Sequence, residues 1–248
     1  MLKSILQSLP LAVLVYSSLG STSAIAQSHR GGTIQSESFL LAQAFKAPSN
    51  REVAARRRLP PPRASGDCSV GDVKLASLIP GEEFGMPLAA SSSPIFYVYV
   101  PAVNGDYVEF SIFNGRNALY QAQFETPATP GIVALSLPPE LNLVPGKTPN
   151  GKLIAYQWYF NVVCDQSDRS NDLKTNGWVH AVQDGDAIVQ DASATTLAEA
   201  GFWYDALAAA LFEGQGATNN LLESVGLTDF MDLDRPLELT PLAVVPES

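Results

Sequence analysis

Tyr107-Val108-Glu109-Phe110-Ser111-Ile112-Phe113-Asn114-Gly115 is the stretch on which the fold of this chain turns. Val108, Phe110 and Ile112 alternate with Glu109 and Ser111, the period of two shown by a strand buried on one face. Asn114-Gly115 closes the run, and Asn-Gly is a strong short hairpin signal because both central residues must take positive φ. Ala118–Glu125 follows as the return strand. One step back, Asn104-Gly105 separates Tyr107–Phe113 from Pro94–Pro101, so two consecutive hairpins, a meander, are expected.

Further strand patterns lie on either side: Asp72–Leu78, Ile132–Leu137, Leu153–Cys164 and Gly177–Val182. In Tyr156-Gln157-Trp158-Tyr159-Phe160-Asn161-Val162-Val163-Cys164, one face carries Tyr156, Trp158, Phe160, Val162 and Cys164. About seven short strands of this kind read as a mainly β fold, an antiparallel β-sandwich of immunoglobulin-like pattern, with a barrel as the alternative. A C-terminal helical appendage follows. Thr196 and Glu199 have capping-box spacing, Leu197 opens an apolar run, and Gly214 ends it. Ala200, Trp203, Tyr204, Leu207, Ala208 and Leu211 fall on one stripe of a helix over Leu197–Glu213, and a second short helix is expected over Asn219–Val225.

The ends of the chain read differently. Residues 1–26 have the form of a secretory signal peptide: Lys3, an apolar run from Leu9 to Leu19, and Ala24-Ile25-Ala26 as the cleavage site. That run is too short to span a membrane, so the mature chain is expected to be periplasmic or secreted. Residues 27–66 form a basic Pro/Arg-rich linker, ending in Arg56-Arg57-Arg58-Leu59-Pro60-Pro61-Pro62-Arg63, where three prolines preclude helix and sheet. Residues 67–235 are then a single domain, and 236–248, with Pro236, Pro241 and Pro246, an extended tail.

Charge divides sharply. Residues 27–66 hold seven Lys/Arg against two acids, a net of +5, and 67–248 hold seven against 23, a net of −16. Such an acidic body repels phosphate and argues against nucleic acid as partner. The basic segment suits an anionic surface such as lipid head groups, or is a solvated linker folding back on the acidic body. Both cysteines, Cys68 and Cys164, lie in the exported part, where an even count favours a disulfide over thiol or metal chemistry. A zinc site cannot be assembled from His29 and His180 alone.

No motif carries a recognisable catalytic constellation. Asp165, Asp168 and Asp172 share one polar loop and are the candidates for a weak calcium site, against the reading of a solvated turn; Asp184, Asp186 and Asp191 are a weaker set. Trp203-Tyr204-Asp205 reads as a ligand-stacking pair beside an acid, or as core aromatics with Asp205 hydrogen-bonded to a neighbouring loop. His180 shares the face of Trp178 and Val182 and is either a buried, hydrogen-bonded imidazole or an exposed one. Those four residues, Trp203, Tyr204, Asp205 and His180, are the candidate functional surface; no cofactor other than calcium is indicated.

Arg63 to Cys68, Leu75-Ala76-Ser77-Leu78-Ile79-Pro80, Pro94-Ile95-Phe96-Tyr97-Val98-Tyr99-Val100-Pro101, Tyr156-Gln157-Trp158-Tyr159-Phe160, Cys164-Asp165 and Gly177-Trp178-Val179 form an ordered series of motifs. Gly201-Phe202-Trp203-Tyr204-Asp205-Ala206-Leu207 and Leu221-Leu222-Glu223-Ser224-Val225-Gly226-Leu227 continue it. The series resembles the bacterial domain-of-unknown-function family numbered 928, over Arg63 to about Leu227. It departs from that family at Thr218-Asn219-Asn220, where a tryptophan commonly precedes the Leu-Leu pair. The resemblance implies an exported, mainly cyanobacterial protein of unassigned activity.

Two functions follow for comparison with the structure. The first is a non-catalytic extracytoplasmic binding or protein-interaction module, with an envelope or secreted protein as partner and a polysaccharide second. The alternative is an envelope carbohydrate-active hydrolase, which needs two opposed carboxylates that the sequence does not single out. A flat or edge-strand surface favours the module; a deep pocket with converging acids and aromatics favours the enzyme.

Overall fold

A computed structural model describes residues 45–46, 68–70, 72, 74–182 and 192–242. The signal-peptide reading of 1–26, nearly all of the linker 27–66, the acids Asp184, Asp186 and Asp191, and the tail beyond Leu242 lie outside the described residues. Eleven strands are described: β1 (Ser69–Val70), β2 (Ala76–Ser77), β3 (Leu88–Ala89), β4 (Phe96–Val100), β5 (Ala102–Val103), β6 (Tyr107–Asn114), β7 (Asn117–Phe124), β8 (Gly131–Leu135), β9 (Tyr156–Val163), β10 (Leu173–Ala181) and β11 (Leu237–Glu238). They build a five-stranded sheet in the order β3-β10-β9-β6-β7, a four-stranded sheet β11-β8-β4-β2, and a two-stranded ribbon β1-β5.

The alternation that marked β6 and β9 sets their inner faces. Phe110 from β6 and Trp158 from β9 meet Phe96 from β4 with ring centroids 5.2 and 5.5 Å away, so the two sheets pack face to face as a sandwich. Full burial of aromatic and aliphatic side chains of this size stabilises by about 1.5–3 kcal/mol each before entropy is counted. All five residues of β4 are buried, because its other face is covered too: Tyr99 lies 5.2 Å from the ring of Phe230, in the 3-10 turn Thr228–Phe230.

Three expectations are corrected. The sheets are mixed rather than purely antiparallel, since β3 runs parallel to β10 and β11 parallel to β8 at the sheet edges. Both parallel pairings are only two residues long and bring in segments distant in sequence, which local patterning does not reveal. The meander is a single hairpin: β4 belongs to the four-stranded sheet and β6 to the five-stranded one. At Asn104-Gly105 the chain crosses between layers. A Cβ on Gly105 would lie 2.7 Å from Val162 Cγ1 and 3.0 Å from the Val163 carbonyl oxygen, so glycine serves close approach there rather than a turn. In the β6–β7 hairpin the ladder closes at Asn114 and Asn117, leaving Gly115 and Arg116 as the central residues. Gly115 takes φ +61° and Arg116 is not at positive φ, the pattern of a type II′ turn rather than the I′ turn expected of Asn-Gly.

Third, the expected long helix is two. Helix α1 (Ala194–Ala200) starts at Ser193, whose Oγ accepts from the Thr196 N–H at 3.2 Å, not at Thr196. It ends at Gly201 in the left-handed region, φ +85°. Helix α2 (Trp203–Glu213) then starts afresh, and α3 (Gln215–Ser224) follows across Gly214. Phe45, in the segment read as linker, is only 6% exposed. Its ring meets Trp203 edge-on at 5.2 Å and Phe84 at 5.9 Å, its N–H donates to Ser224 Oγ, and the Lys46 N–H donates to the Ala198 carbonyl.

Candidate functional site

The break at Gly201 turns the first residues of α2 into the seam of the sandwich. Trp203, Tyr204 and Asp205 are consecutive, and each anchors a different segment. The Trp203 indole N–H donates to the Leu78 carbonyl at 2.8 Å. The Tyr204 hydroxyl accepts from the Trp158 indole N–H at 2.9 Å and donates to the Trp178 carbonyl at 2.8 Å, tying α2 to β9 and β10 at once. The two carboxylate oxygens of Asp205 accept from the adjacent Ala90 and Ser91 N–H groups at 2.6 and 3.0 Å. Burial pushes the Tyr204 phenol well above its ordinary pKa, which keeps the hydroxyl neutral and able to donate. Trp203 and Tyr204 are buried and Asp205 is 6% exposed.

His180 is 4% exposed, with Nδ1 2.6 Å from the Ile154 carbonyl oxygen. It shares the outer face of the five-stranded sheet with Trp178, as alternation predicts, and Ile154 lies against it there. Gly177 fits the same arrangement, since a Cβ on it would lie 2.6 Å from the Trp158 ring on the adjacent strand.

The acidic loop divides its three carboxylates among separate tasks. Asp165 accepts from the N–H and hydroxyl of Ser167 at 2.7 and 2.6 Å, and Asp168 caps the turn Arg169–Asn171 by accepting from the Ser170 N–H. Those hydrogen bonds, led by the Ser167 hydroxyl and by Ser170, hold both carboxyls below their ordinary range. Asp172 is turned inward onto Arg169 Nε at 2.6 Å, and Arg169 reaches Glu109 on β6 at 2.7 Å. The convergence that calcium requires is not made: among the described residues no group of three or more His, Cys, Asp or Glu side chains is placed to hold a metal ion. Cys68 and Cys164 are joined in a disulfide with Cα atoms 5.4 Å apart. It fastens the β1–β5 ribbon to the end of β9 rather than linking the two main sheets.

Two shallow pockets of about 270 Å³ each are present. One is mainly apolar and lies between α1, α2 and Ser91–Ile95, with Phe212, 92% exposed, at its mouth and Asp205 as its one acid. The other lies between β8, the α2–α3 junction and Leu233–Arg235, and Asp234 is its one acid. Neither presents the pair of carboxylates that glycoside hydrolysis needs.

The feature that composition alone did not single out is an edge. β7 ends the five-stranded sheet, and its eight residues, Asn117-Ala118-Leu119-Tyr120-Gln121-Ala122-Gln123-Phe124, include no charge and no proline. Charges and prolines are the usual protections of an open edge. Its single protection within the strand is a bulge: Ile112 pairs with Tyr120 and Phe113 with Ala118, so Leu119 is left over and stands exposed. Among the described residues only the Phe124 end is covered, by residues 240–242. Phe124 bridges to Pro241, the Glu125 N–H donates to the Thr240 carbonyl at 2.9 Å, and the Leu242 N–H donates to the Gln123 carbonyl at 2.9 Å. The uncharged composition of Ala118–Gln123 was a signal in the sequence; that this strand lies at an edge was not.

The family described as Domain of Unknown Function (DUF928) matches residues 52–233, and the chain belongs to that family. No curated protein matches it. A solved structure, the crystal structure of an engineered protein, is 13% identical over 44% of this chain and 20% of that chain, with a TM-score of 0.30, a likeness too slight to bear on the fold. Phe45 lies upstream of the residues that the family match covers.

Proposed function

We propose that this chain is a non-catalytic extracytoplasmic module that binds another polypeptide of the cell envelope or a secreted one, receiving an extended segment along the outer edge of β7. The observation that carries this reading is the edge itself: five residues, Ala118–Ala122, with outward backbone groups that no described strand covers and no charged side chain among them. Strand addition draws its affinity from main-chain hydrogen bonds and its selectivity from alternate side chains. An extracytoplasmic setting agrees with the disulfide and with the signal-like residues 1–26. Among the described residues no helix is long and apolar enough to cross a membrane. The acidic body, at −16 over 67–248, favours a neutral or basic partner.

The test is affinity capture from an envelope fraction with the mature chain from Gln27, wild type and Gln121→Pro in parallel. Successive N–H groups of a strand alternate in direction, and the bonds at Gln123 and Glu125 point outward. The Gln121 N–H therefore also points outward, and proline there removes an edge donor without taking a bond from the β6–β7 ladder. A polypeptide held by the wild type and lost with the folded Gln121→Pro chain is the expected result. A partner held equally by both chains, or none held by either in low and moderate salt, overturns the reading.

A further inference from the structure

We propose that the outward face of the five-stranded sheet is a binding platform for a neutral, β-1,4-linked polysaccharide, which lies across β6, β9 and β10 over Phe113, Tyr159 and Trp178. This second site is separate from the β7 edge and goes beyond the polypeptide-binding reading. It uses side chains of three inner strands rather than main-chain groups of the outermost one.

Strand register brings these side chains together. Ser111 pairs with Tyr159 and Tyr159 with Asn176, one row across the sheet; Phe113 pairs with Gln157 and Gln157 with Trp178, the next row. Residues opposed in register project to the same side of a sheet, and this side is turned away from the Phe96, Phe110 and Trp158 cluster. All six side chains are part-exposed, so solvent reaches the face, whereas Tyr156, Trp158 and Phe160 between them on β9 are buried. The two rows have limits on both sides. Toward the start of β10 the next row holds Glu109, Asn161 and Lys174, and its charges are matched: Arg169 bridges Glu109 and Asp172, and Lys174 lies 3.9 Å from Asp172. In the other direction His180 is buried, with the Ile154 carbonyl against its Nδ1. An uncharged strip running across the strands lies between.

The chemistry of the strip selects its occupant. It sets three aromatic rings among the Gln157 and Asn176 amides and the Ser111 hydroxyl, groups that both donate and accept hydrogen bonds. An equatorially linked pyranose chain has the matching pattern. Its ring faces carry C–H groups, drawn to the electron-rich face of an aromatic ring, and its hydroxyls lie around the rim. Phe113 and Tyr159 meet at 5.7 Å and 84°, so the pair offers one ring face and one edge, and Trp178 is the next ring along the strip. Phe113 and Trp178 stand two strand spacings apart, about 9.5 Å, a separation suited to alternate sugars of an extended chain. The β-1,4 linkage keeps that chain a ribbon, whereas α-linked chains coil away from an open face. Charge selects a neutral glycan: residues 67–248 carry a net −16, which repels anionic polymers, and the strip holds no cation to offset it.

Retention of the chain from Gln27 on microcrystalline cellulose and on chitin tests this, with Trp178→Ala, Trp178→Phe and Phe212→Ala alongside. Phe212, 92% exposed on α2, controls for adsorption through any exposed ring. The wild type should be held by at least one polymer, equally at low and high salt. Trp178→Ala should weaken that retention about tenfold, the scale of one lost ring contact, Trp178→Phe less, and Phe212→Ala not at all. A second readout works in solution. Trp158 and Trp203 are fully buried, so Trp178 is the indole of the three that solvent reaches. The matching hexasaccharide should shield its fluorescence from acrylamide, which a purely structural ring would not show. That wild-type shielding decides the matter if Trp178→Ala fails to fold. No retention on either polymer, an equal loss with Phe212→Ala, or unchanged retention by folded Trp178→Ala overturns the inference. Retention that salt abolishes is ionic adsorption and overturns it too. So does a polypeptide lost with Trp178→Ala while no glycan is held, which would give this face to a protein partner.

Discussion

Tyr204 holds two elements with one hydroxyl. Its oxygen accepts from Trp158 on β9 and its proton goes to the Trp178 carbonyl on β10, inside a site where the ring also packs 5.4 Å from Phe96. Tyr204→Phe keeps the ring and removes both bonds, leaving a buried indole N–H and a main-chain carbonyl without this partner. Each buried group so deprived costs about 1–3 kcal/mol. Urea unfolding of the variant, followed by tryptophan fluorescence, should show a loss within that range or above it. A change below about 0.5 kcal/mol would mean that water or a local shift replaces the hydroxyl. Core aromatics with Asp205 hydrogen-bonded to a neighbouring loop were one reading of Trp203-Tyr204-Asp205 in the sequence; which loop was not legible. Helical spacing put Asp205 off the apolar stripe, and only the restart of the helix after Gly201 sends that carboxylate onto the Ala90 and Ser91 amides.

Among the elements, β6, β7, β8 and the core of β9 were legible because alternation and turn residues act over a few positions. What escaped was pairing between segments distant in sequence, the two-residue parallel edges and the transfer of β4 to the other sheet, and, separately, the early part of β10. That strand begins at Leu173 rather than Gly177, its first residues Leu173-Lys174-Thr175-Asn176 having no clear alternation. They are strand because β9 pairs with them through Val162↔Leu173 to Tyr159↔Asn176. At the start of β10, Arg169 bridges the inward-turned Asp172 and Glu109 on β6, so the acidic loop is fastened to the sheet. Partial burial works to raise the Glu109 pKa, but the hydrogen bond and charge of Arg169, helped by Gln123, win and hold it below its ordinary value of 4.5. A carboxyl whose folded pKa is depressed stabilises fully above its unfolded value, and that contribution fades as pH falls through the folded one. Glu109→Gln should therefore be less stable than wild type at pH 7. The gap should persist down to about pH 5 and close progressively below pH 4.5, as read from urea midpoints at each pH. A gap independent of pH would assign the effect to packing rather than charge. Because Arg169 is partly exposed, added salt should also narrow the gap at neutral pH.

Over the whole molecule, the chain between Cys68 and Cys164 runs through β1 to β9 and thus through most of both sheets, with a separation of 96 residues. The disulfide itself was foreseeable from an even cysteine count in a chain with signal-like residues at its start. Its attachment was not, because β1 belongs to neither main sheet. Closing so long a loop restricts the unfolded ensemble, and the chain-entropy relation gives roughly 4–5 kcal/mol as the most this bond contributes. Since the bond ties a two-stranded ribbon to the end of β9 and lies outside the Phe96–Phe110–Trp158 cluster, its loss should weaken the fold without dissolving the core. Cys68→Ser with Cys164→Ser is expected to keep the far-ultraviolet spectrum of the parent while its urea midpoint falls. Chain made in a reducing cytoplasm should behave like that variant, and chain exported to an oxidising compartment like the parent. Phe45 adds a second, non-covalent tie upstream of Cys68, packed on Trp203 and Phe84. Phe45→Ala in the cysteine-free background separates the two contributions. If the ties act independently, their losses should add. A double Ser variant with an unchanged midpoint would mean that the unfolded chain is already as confined as the disulfide would make it, and would remove redox state as a determinant of this protein's stability.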